Sequence, residues 1–375
     1  MGTDISYMHL ALQLAKKGQY TTSPNPMVGC VISNNNETIA TGWHKGPGSD
    51  HAEIAALKSI NYLANNAVLY INLEPCCHYG NAPPCVNSII KAKIKKVVIG
   101  TVDPNPLVSG KGIELLLAAG IEVKLGVLEK ECEILNKFYI FFMRHNRPYI
   151  IAKWAMSLDG KSSVNPSDSR QISNKKSQKH AHQTRALVDA IVIGSNTAKQ
   201  DNPQLTIRAF KPKTIIKNIP KRIILDSKGS TPSNLILYTD DFFQHTIVVT
   251  TQLASNRWIN QLESQGVTIL LCKANRDNKI CLKDFIEKLY KLNIISVLIE
   301  GGNILRQAFL GENLVDECQV YLSNNLIADL HSKIPVEFTY MENLDNNYFF
   351  SAKVAPQAKL SIDHNVVQCT PRDDC

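Results

Sequence analysis

Apolar positions recur in two rhythms along the first third of this chain. Within residues 6–17, Leu10, Ala11 and Leu14 fall at helical spacing, whereas 27–32 and 68–73 are apolar runs of strand length. Residues 51–63 predict a helix and 84–92 another, opened by proline; 96–100 predict a strand, 112–119 a helix and 122–127 a strand. A connecting helix is expected over 129–143, and Arg147-Pro148 breaks it. A second series then begins, with strands at 149–154, 190–194, 222–225, 246–250, 267–271 and 296–299, separated by helices such as 283–290. Each half therefore reads as an α/β layer structure built largely around one sheet. The division is placed at residue 147, giving domains 1–147 and 148–355 and a polar tail over 356–375; no internal repeat relates the halves.

Length supports two cores, because 375 residues exceed the size at which one hydrophobic core usually keeps growing. Apolar residues make up 44% and charged residues 20%, the balance of a soluble globular protein. No run approaches the roughly 20 apolar residues of a membrane span, and the start lacks the basic-then-apolar order of a signal peptide, so the cytoplasm is the expected compartment and no membrane partner is expected. The net charge of +8 is unevenly spread: +3 over 1–147, +10 over 148–235 and −5 over 236–375. The middle cations lack the interleaved aromatics of a single-strand binding groove. A phosphorylated small molecule or a dinucleotide accounts for them without nucleic acid, and solvated loop lysines over 209–222 account for most. A homo-oligomer is compatible with all of this.

Three of the ten cysteines crowd together, at 76, 77 and 85, which in a long chain suggests metal chemistry more than disulfides. His51-Ala52-Glu53 opens a predicted helix, Glu74-Pro75-Cys76 follows a predicted strand, and Pro83-Pro84-Cys85 opens the next helix. One His and two Cys suit zinc, and three protein ligands leave its fourth tetrahedral position open. In zinc deaminases a nearby Glu that is not a ligand shuttles protons. Glu53 fits that role, and the helix start at Cys85 favours thiolate. Adjacent residues seldom reach one metal together, so Cys77 is read as a bystander, and one zinc per chain is expected.

The segments Thr22-Ser23-Pro24-Asn25-Pro26-Met27-Val28-Gly29-Cys30, His51-Ala52-Glu53, Leu73-Glu74-Pro75-Cys76, His78, Gly80, Pro83-Pro84-Cys85 and Asp103-Pro104-Asn105-Pro106 resemble the bifunctional riboflavin-biosynthesis deaminase/reductase family, RibD. The wide gap between the cysteines separates this family from cytidine and transfer-RNA deaminases, which resemble one another in a Cys-x-x-Cys gap. The likeness continues through Lys153 to Gly160, Asp201 to Arg208, Leu225-Asp226-Ser227 and Glu300-Gly301-Gly302, to about residue 322. It implies a cytidine-deaminase-like αβα sandwich followed by a dihydrofolate-reductase-like domain that uses NADPH. The implied reaction removes a ring amino group from a diaminopyrimidine carrying a phosphoribosylamino chain, then reduces the ribose to ribityl.

Carried onto this chain, the resemblance implies substrate contacts at Asn25, His44, His78 and Lys153, and in the reductase at Ser169, Arg185, Leu205, Arg208 and Glu300. It implies NADPH contacts at Ala155, Gln171, Thr197, Asp201, Ser227, Gly301, Gly302 and Asn303. Arg185 and Arg208 suit phosphate, which a guanidinium fork binds in pairs. The chain departs from the family at Asn81, where a basic residue is usual, at Gln171, where tryptophan is common, and over Asn324-Asn325-Leu326-Ile327-Ala328-Asp329. Three other readings share the zinc site: a nucleic-acid editing deaminase, a deaminase with an inactive reductase, and a zinc-stabilised scaffold. The scaffold would not need Glu53.

Overall fold

The alternation of helix and strand folds into two sheets. The computed structural model describes residues 3–79, 83–157, 175–210, 216, 218–323, 336–344 and 347–354. The first half runs α1 (Asp4–Ala15), β1 (Gly29–Asn34), β2 (Glu37–Trp43), α2 (Ala52–Ser59), β3 (Val68–Leu73), α3 (Cys85–Lys91), β4 (Lys96–Thr101), α4 (Lys111–Ala118), β5 (Glu122–Leu125), α5 (Glu129–Leu135) and α6 (Lys137–His145). Among the described residues its strands form a five-stranded sheet in the order β2-β1-β3-β4-β5; β1 is antiparallel to both neighbours and β3, β4 and β5 are parallel.

The apolar strand runs are explained by burial on both faces. Ile32, Leu69, Ile71, Val97 and Ile99 meet Ala56, Val86, Ile89 and Leu116 of α2, α3 and α4. On the other face Val31, Tyr70 and Val98 meet Met8, Ala11 and Leu12 of α1 and Cys132 of α5. This is the expected αβα sandwich.

The second half runs β6 (Tyr149–Ser157), α7 (Lys175–Leu187), β7 (Ala190–Gly194), α8 (Ser195–Asp201), β8 (Lys221–Leu225), α9 (Ile236–Thr239), β9 (Thr246–Thr250), α10 (Asn256–Ser264), β10 (Thr268–Leu271), α11 (Leu282–Lys291), β11 (Ser296–Glu300), α12 (Asn303–Gly311), β12 (Glu317–Ser323), β13 (Val336–Leu344) and β14 (Asn347–Val354). These strands form a sheet in the order β10-β9-β8-β7-β11-β6-β12-β14-β13, parallel from β10 through β12 and antiparallel at β14 and β13. One face packs Ile150, Val192, Ile223, Val249 and Ile299 on Phe285, Leu289 and Phe309; the other packs Ile151, Ile191, Ile224 and Val248 on Leu237 and Leu262.

Two expected helices are corrected, and β2 is added where no element was expected. The segment after Asn34 is a hairpin strand, β2, entered through Asn35 and Asn36 with φ of 48° and 63°. Paired left-handed residues make this tight turn without a glycine. The helix expected over 51–63 ends at Ser59, where Asn61 and Tyr62 turn left-handed. The connecting helix is two helices broken at Asn136, because that side chain leaves the helical pattern to pair with Met27: its Oδ1 accepts the Met27 N–H at 2.8 Å and its Nδ2 donates to the Met27 carbonyl at 2.9 Å.

β12 lacked an apolar signature because Glu317 and Gln319 point into the structure. Glu317 takes Lys137, Tyr149 and Gln319, and Gln319 accepts from Thr184. No helix among the described residues is long and apolar enough to cross a membrane.

Candidate active sites

His51 precedes the first turn of α2 with extended backbone (φ −67°, ψ 159°), which swings its ring off the helix and toward the loop after β3. The helix start can sit this low on the sheet because β2 carries Gly42: a Cβ there would lie 2.1 Å from the Ala52 carbonyl. Cys76 lies in the β3 loop, and Cys85 is the first residue of α3. The His51 Nδ1 is 3.5 Å from the Cys76 sulfur and 3.2 Å from that of Cys85, and the three donor atoms lie within 4.8 Å of one another. Cys77 turns away, its sulfur 3.6 Å from the Leu107 carbonyl.

Without a cation this cluster has no symmetric charge state. The Cys85 thiol and the His51 ring hold the Cys76 thiol well below its usual range, while Cys76 pushes Cys85 up, and the bond to Cys76 raises His51 to about 9. A divalent cation bound by the three donors would relieve this, drawing both sulfurs to thiolate and leaving the imidazole neutral. One imidazole nitrogen and two sulfurs within 4.8 Å of one another are a donor set that fits zinc.

Glu53 is 2% exposed, and its Oε2 has no hydrogen-bond partner. Burial pushes its carboxyl above the usual range, against the pull of His51. Both residues line a cavity of about 370 Å³ together with Asn25, His44, Cys76 and His78. His44 Nδ1 lies 3.1 Å from the Asp50 carbonyl, which can only accept, so Nδ1 carries the proton and Nε2 accepts from the Asn25 amide at 3.1 Å. The His44 ring stands edge-on to that of His51 at 5.5 Å. His78 Nδ1 is buried without a partner.

Sequence reasoning missed several residues around this cavity. Glu74 accepts backbone N–H groups of Asp103, Gly110, Gly112 and Ile113, which shapes one wall. Tyr139 donates to Asp103, and Asn293 and Ile295 reach in from the second half. Glu74 and Asp103 stood in the motif segments without an assigned role, and Ile295 only adjoins the apolar run 296–299, which marked a strand rather than a cavity.

The second group of residues gathers at the C-terminal ends of parallel strands, where open α/β sheets bind ligands. Gly301 follows β11 with φ of 105°, and a Cβ there would lie 2.9 Å from the Thr197 side chain. Gly302 donates its N–H to Thr197 Oγ1 at 3.1 Å, and Asn303 opens α12, whose free N-terminus suits phosphate. Asn303 Oδ1 also accepts from Arg306, whose guanidinium lies over the Trp154 ring. Asp201 ends the exposed last turn of α8. Ser227 lies just past β8, its hydroxyl accepting the Ile280 N–H. Ala155 lies on β6 beside Tyr321. The close Thr197–glycine turn fits a dinucleotide cradle.

Four expectations change in the structure. Lys153 does not join the cavity of Asn25 and His44; it pairs in register with Glu300 on β11, its Nζ 3.9 Å from the carboxylate. Arg185 spends its fork on Glu300, with Nε and Nη2 each 2.7 Å from a carboxylate oxygen, and gives Nη1 to the Thr206 carbonyl. Its position is that of a residue holding Glu300 rather than of an open phosphate fork. Leu205, 3% exposed with φ of 52°, packs its side chain into the core. Part of the basic excess is internal, since Arg222 is 1% exposed and forks onto Asp240.

Arg208 is exposed and donates to Thr206 Oγ1 at 3.1 Å. His182, one turn before Arg185, is buried with an unpartnered Nδ1, and was missed because a histidine on a polar helix carries no local signal. Ser169, Gln171, Gly80, Asn81 and 324–329 lie outside the described residues.

The class these features define is a metal-site deaminase domain joined to a reductase domain. Residues 1–101 match the cytidine and deoxycytidylate deaminase zinc-binding region, and 148–346 match the RibD C-terminal domain. Riboflavin biosynthesis protein RibD of Actinobacillus pleuropneumoniae is 37% identical over 343 residues, 92% of this chain and 89% of the relative. That of Aquifex aeolicus is 40% identical over 327 residues, 87% of this chain and 88% of the relative. The solved structure of Acinetobacter baumannii RibD superposes with a TM-score of 0.84 at 33% identity, covering 94% of this chain and 99% of the other. A Thermotoga maritima diaminohydroxyphosphoribosylaminopyrimidine deaminase/5-amino-6-(5-phosphoribosylamino)uracil reductase gives a TM-score of 0.78 at 30% identity over the same shares. The chain belongs to the RibD family. It is an enzyme of riboflavin biosynthesis with deaminase and pyrimidine reductase activities on one polypeptide.

Proposed function

We propose that the first half deaminates 2,5-diamino-6-(5-phosphoribosylamino)pyrimidin-4-one with one zinc ion held by His51, Cys76 and Cys85, and that the second half reduces the ribosyl chain of the product with NADPH. The reading rests on one observation above others: Glu53 Oε2, buried and unpartnered, belongs to a residue that lines one cavity with His51 and Cys76, two of the three clustered donors. When bound, zinc supplies a Lewis acid toward water and the ring. Glu53 takes the proton of the attacking water and passes it to the departing nitrogen, so ammonia leaves and the water oxygen stays on the ring. Asn25 and the neutral His44 orient the ring, and His78 adds a further polar contact at the cavity wall.

NADPH, when bound, supplies the hydride. The Gly301–Gly302–Asn303 turn with Thr197, and Ala155, Gln171, Asp201 and Ser227, would hold it. Glu300 and Lys153 would meet the ribosyl chain, Ser169 and the Leu205 backbone are assigned to the same substrate, and exposed Arg208 takes the phosphate. We place the division between the halves near residue 147, in the cytoplasm as the working compartment.

Incubation with the diaminopyrimidine and mass analysis test the whole reading: deaminated product is expected without NADPH and ribityl product with it. An unchanged substrate in both tubes would refute it.

Four variants separate its parts. Cys76→Ser and Cys85→Ser proteins are expected to lose metal by elemental analysis, whereas Cys77→Ser, whose sulfur faces backbone carbonyls, keeps it. Full metal in the first two would remove them as ligands. Arg208→Ala is expected to deaminate normally but to need more intermediate for half-maximal NADPH oxidation, since a charge-assisted bond contributes about 1.5–3 kcal/mol. Unchanged reductase kinetics would remove Arg208 from the phosphate site.

A further inference from the structure

The segment 22–28 carries Asn25 into the deaminase cavity, and both halves of the molecule hold it. From the first half, Asn136 pairs with the Met27 backbone, and Asn72 donates to the Met27 carbonyl at 3.0 Å while accepting the Gly29 N–H at 2.8 Å. These clamps fix the far end of the segment. At its near end Thr22 bonds to the Gly18 carbonyl within the first half, and the next residue, Ser23, is held from the second half. The Ser23 hydroxyl donates to Asp189 Oδ1, and Asn218 Nδ2 donates to the Ser23 carbonyl at 2.9 Å.

Asp189, just before β7, is built as a fixed anchor. Its other oxygen, Oδ2, accepts the N–H groups of Ile295 and Ser296 at 2.9 and 3.1 Å and the Ser296 hydroxyl at 3.1 Å. The same turn sends Ile295 and Asn293 into the wall of the deaminase cavity. Ser23 is therefore tied to the very segment of the reductase domain that completes the cavity.

We propose that Asp189 is a positioning residue for deamination: through Ser23 it sets the segment 22–28, and with it the Asn25 amide that meets His44 beside the metal ligand His51. The inference rests on the assignment of that cavity to the deaminase. With the latch gone, the near end of the segment samples other placements, and the binding-competent fraction falls. Apparent affinity falls by the same fraction, whereas turnover of the bound complex, once Asn25 is seated, is retained.

Full-length Ser23→Ala, Ser23→Thr, Asp189→Asn and the Ser23→Ala/Asp189→Asn double variant are compared by ammonia release at varied substrate, NADPH oxidation on supplied intermediate, and zinc content. Ser23→Ala is expected to raise the deamination KM about tenfold, the size of one lost hydrogen bond to a charged group, with kcat within about twofold and zinc and NADPH oxidation unchanged. Ser23→Thr, which keeps the hydroxyl, should restore KM. The double variant should be no worse than the worse single, because both remove one interaction.

A wild-type KM in Ser23→Ala, additive effects in the double variant, or parallel loss of both activities and zinc would overturn the inference. A wild-type chain that releases no ammonia would instead overturn the deaminase assignment itself.

Discussion

Glu53→Gln is expected to fold and hold zinc like the parent protein while losing deamination by about 10²–10⁴-fold, the usual contribution of a positioned acid–base group. The substitution is nearly isosteric, so the packing of a side chain that is 2% exposed is preserved. What disappears is the capacity of the unpartnered Oε2 to accept a proton and release it. The metal donors are untouched, and the second half is untouched, so NADPH oxidation on supplied intermediate should continue at the parent rate. Ammonia release, elemental zinc and NADPH absorbance measured on the same preparation decide the matter. Deamination near the parent rate would show that the proton moves by another route.

Arg185→Ala is expected to abolish reduction and to destabilise the second domain by about 3–5 kcal/mol, the cost of removing one partner from a buried ion pair. The Arg185 and Glu300 side chains are 12% and 8% exposed, and Lys153, at 3.9 Å, is a second cation beside the carboxylate. Burial pushes the Glu300 carboxyl up, but Arg185 and then Lys153 outweigh it and hold the group at about 2. A carboxyl depressed on folding stabilises above its unfolded value, near 4.5, and that contribution is lost as the pH falls toward 2. Arg185→Ala should therefore flatten the loss of stability across this acid window as well as lower the urea midpoint. Arg185→Lys should recover little, since an ammonium cannot make the two parallel bonds of the fork. A midpoint within experimental scatter of the parent would sink this account.

The deaminase chemistry was legible in the sequence because its residues lie in short local motifs. His51 and Glu53 share one turn, Cys76 lies in the loop after β3 and Cys85 begins α3, so local spacing pointed to the donors that the fold brings together. The chemistry that depends on tertiary approach was not legible. Lys153 was grouped with Asn25 and His44 although strand register puts it against Glu300. Arg185 carries the same residue type whether it faces phosphate or a buried carboxylate, and only the fold shows the carboxylate. Asn293 and Ile295 reach a cavity whose other walls are more than a hundred residues earlier in the chain. In the fold, the fully buried parallel strands were clear as apolar runs. The hairpin at Asn35 was hidden because asparagine replaced the expected glycine, and β12 was hidden because its buried side chains are polar.

The placement of β6 has a consequence for synthesis. This strand is the first of the second sheet to leave the ribosome, yet it lies between β11 and β12, whose residues begin at Ser296 and Glu317. At about 5–20 residues per second, Ile150, Ile151 and Ala152 wait on the order of ten seconds before either flanking strand exists. During that interval the first sheet, whose strands are all complete by Leu125, can close on itself. The nascent chain thus carries a finished domain followed by an apolar strand with two bare edges, the kind of segment that invites pairing with another chain and gives holdase chaperones something to grip.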